Sequence, residues 1–176
     1  MRTYTRARIE GGCYFFTVNL AQRSGNDLLV ERVADLREAF RRTRADYPFV
    51  MDGIVVMPDH LHCIWRLPEG DDDFPMRWRP IKSHFSRALA KVEQVSASRV
   101  RKNERGIWQR RYWEHVIRDE HDHRVHMDYL HFNPVRHGHV AAVKDWPHSS
   151  FHRCVREGTY APDWGTAYSD DGLDLE

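Results

Sequence analysis

Cysteine is scarce in this chain of 176 residues. Cys13, Cys63 and Cys154 are odd in number, widely spaced and form no CxxC, which argues against a disulfide framework and against a zinc ribbon. Long apolar runs are also missing. No stretch approaches the ~18 residues of a membrane-spanning helix, and the basic start MRTYTRARIEGG has no apolar segment behind it of signal-peptide length. A cytoplasmic protein with no membrane partner is therefore expected. There is no Walker loop and no GxGxxG, so nothing points to a nucleotide cofactor. Internal repeats are absent, and no second domain is indicated.

What is present fits a globular chain: 41% apolar and 30% charged residues. The net charge of +1 hides an asymmetry. Between Arg77 and Arg118 lie twelve basic residues, opposed only by Glu93, Glu104 and Glu114. A block of that density suits a phosphate-binding surface; a solvated helix face plus a charged loop is the plainer alternative. Candidate nucleic-acid contacts are Arg77, Trp78, Arg79, Lys82, Arg110 and Arg111, together with Arg6 and Arg8 on an N-terminal arm. Trp78, Trp108, Tyr112 and Trp113 offer stacking surfaces for unpaired bases, though Trp108 and Trp113 read equally well as core. Acidic residues gather at Glu69 with Asp71 to Asp73 and in the tail, residues 166–176, which composition predicts to be disordered.

Hydrophobic periodicity sets the element order. CYFFTVNL (13–20) reads as a buried strand. Val33, Leu36, Ala39, Phe40, Thr43 and Tyr47 recur at helical steps, and Pro48 ends that helix. Residues 49–57 and 61–67 read as two strands flanking Pro58-Asp59. Ile81, Phe85, Ala88, Leu89 and Val92 mark a second amphipathic helix. VSASRVRKNER (95–105) has no period and reads as a loop. IWQRRYWEHVI (107–117) is extended, and a third helix is expected over 120–132, closed by Pro134 and Gly138. This β-α-β-β-α-β order, with one further helix, predicts an α+β ferredoxin-like antiparallel sheet with helices on one face. The first and third strands would be central and adjacent.

The stretch VVMPDHLHCIW (55–65) carries the clearest chemistry. On a strand, His60 and His62 project to one face while Leu61 and Cys63 project to the other. Two imidazoles side by side make half of a metal site, although a neighbouring pair in a chain with twelve histidines also occurs as ordinary strand residues. Tyr129 and Asn133, four apart, would share a helix face. Asn133 precedes Pro134, so a helix end is expected there. His121, His123, His126, His131, His137 and His139 match no standard zinc spacing; exposed or phosphate-contacting positions are expected for them.

Two histidines around one hydrophobic residue on a strand, with a tyrosine on a helix, resemble the HUH nucleases. The segments GGCYFFTVNL, MPDHLHCIWRLPEGDDDFPMRWRPIK, IWQRRYWEHVIRDE, HMDYLHFNPVRHG and DWPHSSFHR together resemble the REP-associated tyrosine transposases, over roughly residues 10 to 165. The resemblance implies a single HUH nuclease domain over residues 1–165. It implies His60, His62 and Asn133 as ligands of Mg²⁺ or Mn²⁺ and Tyr129 as the nucleophile, and a single-stranded DNA partner bearing a REP hairpin. Transposon relatives usually carry Gln where this chain has the shorter Asn133. The implied reaction is metal-dependent cleavage and strand transfer through a 5′-phosphotyrosyl intermediate, by a monomer or, as in the transposon relatives, a dimer. The alternatives are a REP hairpin-binding protein that does not cleave, an RNA-binding module stacking bases on an open sheet, and a hydrolase using water as nucleophile.

Overall fold

The computed structural model describes residues 7–93 and 95–166. Arg6 and the acidic tail beyond Thr166 lie outside the described residues. The elements are β1 (Cys13–Asn19), α1 (Leu28–Glu31), α2 (Val33–Asp46), β2 (Val50–Val56), β3 (His60–Arg66), α3 (Pro75–Ala88), α4 (Ala97–Arg101), β4 (Trp113–Val116), α5 (Glu120–Arg136), a 3₁₀ turn (Val143–Asp145) and α6 (Phe151–Arg156). The four strands form one antiparallel sheet in the order β2-β3-β1-β4. The first and third strands are thus central, as the chain pattern predicts.

Alternation within β1 and β3 divides the core in two. Tyr14, Phe16, Val18, Leu61, Cys63 and Trp65 face α2 and α3, where they meet Leu36, Phe40, Trp78, Ile81 and Phe85. The Trp65 and Trp78 rings stack 4.6 Å apart. Phe15 and Ile64 face the other way and meet Met127, Tyr129 and Leu130 of α5. The expectation of helices on one face therefore holds for α2 and α3 but not for α5, which covers the opposite face. With both faces covered, β3 is buried at every position but Arg66. An open sheet face for stacking bases is absent among the described residues, which removes the basis of the RNA-module alternative.

Several boundaries differ from the pattern. α3 stops at Ala88, because Leu89 turns to extended geometry, and Val92 is exposed. The segment read as a loop holds the short α4. It is tied down by Arg105, which pairs with Glu93 at 2.5 Å and donates to the carbonyls of Ser86, Leu89 and Ala90. Most consequential, α5 runs through Pro134 to Arg136. Proline there removes one backbone donor, but the His137 N–H still reaches the Asn133 carbonyl at 3.0 Å, and burial of this stretch against the sheet holds the helix. Asp119 starts α5 by accepting a bond from the Asp122 N–H at 2.8 Å. Gly138, at φ 71°, ends it.

Candidate active site

β3 and α5 bring His60, His62, Tyr129 and Asn133 together on one face of the sheet. All four are buried, at 3%, 0%, 2% and 0% exposure. The two imidazole centroids lie 5.0 Å apart, and the Tyr129 ring meets His62 edge-on at 5.4 Å. Because α5 continues past Asn133, Tyr129 and Asn133 keep the i, i+4 relation of an intact helix. The expected helix end at Asn133 is corrected by this continuity.

Each histidine has one nitrogen engaged. His60 Nδ1–H donates to Asp59 Oδ1 at 2.6 Å, and Asp59 is itself held by Arg23 at 2.7 Å. His62 Nδ1 meets Thr17 Oγ1 at 2.9 Å; Thr17 stands directly across from it in the β1–β3 register. Such partners fix ring orientation and tautomer. His62 Nε2 is buried with no hydrogen-bond partner, and both polar atoms of the Asn133 amide are buried with no well-formed bond, although the amide lies close enough to His60 to favour its protonated form. Buried polar atoms normally find a well-formed partner, and this cluster of poorly satisfied atoms suits a group bound between them.

The charges favour the same use. Burial pushes the His60 pKa down, against the pull of Asp59. Burial and the neighbouring His60 push His62 well below the usual imidazole range. Both rings are therefore neutral at pH 7 and keep the lone pairs that a cation needs. Two imidazoles and one amide oxygen fit a divalent ion that leaves further positions open.

Sequence reasoning misses several neighbours. Asp59, next to His60 in the chain, is the one a local reading could find. Thr17 and Asn19 face His62 and His60 only through the strand register, and Asn19 Oδ1 is also buried without a partner. His137 sits 5.4 Å from His60 between ring centroids, and the Arg136 guanidinium lies 5.5 Å from the centre of the Tyr129 ring.

Other predicted residues fall elsewhere. Arg77 and Trp78 are corrected out of the DNA-facing set, at 2% and 1% exposure. Arg77 pairs with Asp71 at 2.7 Å and donates to the Pro48 and Asp73 carbonyls, which ties α3 to the turn before β2. Lys82 donates to the Gln109 carbonyl at 3.1 Å and sits over Tyr112. Arg110 pairs with Glu104 at 2.8 Å, and Arg8 lies near Asp72 and Asp73. Arg79 and Arg111 are exposed. Trp108 is core, whereas Trp113 is 42% exposed. Of the helix histidines, His126 and His131 are buried, contrary to the exposed positions expected. His126 shares Asp122 with His115, and their rings stack 4.4 Å apart. His131 meets Ser150 Oγ at 2.9 Å.

The antiparallel sheet, the face-sharing histidine pair on its central strand and the tyrosine helix laid across them define an α+β fold of the HUH endonuclease type. The chain is 46% identical over 170 residues to the REP-associated tyrosine transposase of Escherichia coli K12, covering 97% of this chain and 94% of the relative. It is 45% identical over 166 residues, 94% of each protein, to a Haemophilus influenzae Rd protein that carries the same family name. A solved structure of a REP-associated tyrosine transposase bound to a REP hairpin superposes with a TM-score of 0.82 at 44% identity, covering 97% of this chain and 96% of that one. No protein-family model matches the chain. The chain belongs to the REP-associated tyrosine transposase family. Among the described residues no helix is long and apolar enough to cross a membrane.

Proposed function

We propose that this protein cleaves and rejoins single-stranded DNA beside a REP hairpin, as a monomer in the cytoplasm, with Tyr129 as the nucleophile. The observation that carries the reading is the convergence of Tyr129 with the unpaired His62 Nε2 and the buried Asn133 amide beside His60, on one face of the sheet. His60, His62 and Asn133 would hold Mg²⁺ or Mn²⁺, which supplies polarisation of the scissile phosphate. Mn²⁺ accepts imidazole more readily than Mg²⁺ does, so it should serve at least as well.

The protein's own groups then divide the work. Tyr129 is carried on α5, which is buried against the sheet, so its position is set before DNA arrives. Its phenolic oxygen attacks phosphorus and loses its proton. The bond to the 3′-oxygen breaks, and that oxygen leaves as a 3′-hydroxyl. The product is a 5′-phosphotyrosyl bond, which retains the energy of a phosphodiester. A 3′-hydroxyl can therefore reverse the step without ATP. Arg136, beside the Tyr129 ring, offers a positive charge to the phosphate. Exposed Arg79 and Arg111 would track the DNA backbone, and Trp113 would stack an unpaired base.

A denaturing gel tests this. Protein is incubated with a labelled single-stranded REP hairpin and Mn²⁺, beside Tyr129→Phe and a chelator control. A band at protein-plus-DNA mass, present only for wild type with metal, is expected. Cleavage without an adduct would instead mean water as the nucleophile. Hairpin binding with neither would leave a binding protein alone.

A further inference from the structure

At the other end of β1 from the histidine pair, three metal-binding groups converge from three elements. Cys13 Sγ lies 4.0 Å from Asp52 Oδ2, and His123 Nε2 lies 3.1 Å from the same oxygen. All three donor atoms fall within 4.8 Å of one another. Cys13 opens β1, Asp52 is in β2 and His123 is near the start of α5. Asp52 sits where the β2–β3 register slips, between Met51 and Gly53. Such irregularities re-aim a side chain. Its carboxylate is divided in function: Oδ1 accepts from Arg66 at 2.8 Å, while Oδ2 faces the thiol and the imidazole. An arginine on the outer oxygen is the kind of partner that orients a ligating carboxylate. The cluster also lines an open cavity of about 650 Å³, so an ion can reach it.

We propose that Cys13, Asp52 and His123 form a second cation site, of the zinc class, separate from the candidate active site. The donor set selects the metal. Burial and Asp52 keep the free Cys13 protonated; once the ion displaces that proton, a thiolate beside an imidazole and a single carboxylate suits Zn²⁺ and disfavours Mg²⁺. Ordinary zinc bond lengths place neighbouring ligand atoms about 3.3–3.6 Å apart, so small side-chain shifts close this cluster on an ion. Binding forms the zinc–sulfur bond as the thiol proton leaves to solvent. Water from the cavity takes the fourth position. The ion would pin the start of α5 to β1 and β2, and α5 is the helix that carries Tyr129 and Asn133.

The test uses the full chain carrying His60→Ala and His62→Ala, so the candidate active site cannot contribute. Co²⁺ serves as the probe, because a cobalt–thiolate bond gives a charge-transfer band in the near ultraviolet. One equivalent of Co²⁺ or Zn²⁺ should bind, with that band. At zinc a hundredfold above its Kd, Tm should rise by about 5–10 °C. Adding Cys13→Ser should abolish the band, and adding His123→Gln should remove tight binding with an unchanged circular dichroism spectrum. Cys154→Ser should leave the band intact. If Cys13→Ser unfolds the chain, the half-exposed His123→Gln decides alone. Absence of the band, or full zinc retention in His123→Gln, would overturn the proposal.

Discussion

Thr17 shows how much of the candidate site depends on a single hydroxyl. It engages His62 Nδ1 at 2.9 Å and leaves Nε2 for a ligand. Thr17→Val keeps the shape and the β-branched geometry but removes that contact. Loss of an orienting partner typically weakens metal affinity about 10–100-fold. The Mn²⁺ concentration for half-maximal adduct formation should rise by that factor, with little change in the circular dichroism spectrum. His131 sets a different, acid-sensitive property. Burial depresses its pKa to about 3, against ~6.5 in an unfolded chain. Above pH 6.5 both states are neutral, and His131 contributes no pH dependence. Below it the unfolded chain takes up the proton first, so stability falls as pH drops towards 3. By pH 5 this amounts to about 2 kcal/mol. Unfolding free energies from urea titrations should fall between pH 7.5 and 5 by about 2 kcal/mol more in wild type than in His131→Asn.

The elements were set mostly by patterns visible along the chain. β1, β2, β3 and α2 follow from aromatic and β-branched runs and one clean helical stripe, and the HLH tripeptide declares which two side chains share a face. What local reading cannot supply is pairing. Thr17 opposite His62, Asn19 opposite His60 and the irregularity at Asp52 exist only once strands meet. Pro134 misleads for a related reason: its local cost is real, but a helix buried along the sheet outweighs it. The approach of β2 to α5 gives a test at this scale. A methyl group on Gly53 would lie 2.6 Å from Met127 Sδ. The clash is with the flexible end of Met127, which can swing aside, so Gly53→Ala should destabilise the protein by about 1 kcal/mol or less. The penalty should shrink in a Met127→Ala background, as a double-mutant cycle in urea would show.

Across the whole molecule, charge serves two purposes that composition alone does not separate. Arg77 looks like one more member of a basic block, yet it is sealed in the core against Asp71. Arg77→Ala removes a buried side chain and its bonds to the Pro48 and Asp73 carbonyls, while Asp71 at 35% exposure stays solvated, and should cost about 1.5–3 kcal/mol of stability. Arg111→Ala, at an exposed position, should leave Tm unchanged, weaken hairpin binding and lower the salt dependence of affinity by about one unit of slope. Comparing Tm with salt-dependent binding for the two variants separates scaffold from contact. The sheet, covered on both faces, has a similar duality. His62 and Asn133 lie as deep as any leucine, and their unpaired atoms are a standing load on stability. A lineage freed from the reaction would gain by replacing them with apolar side chains of similar size. On the proposed reading the site is thus self-erasing under selection for folding alone, and loss of these two polar side chains would be the first sign of a chain that no longer cleaves.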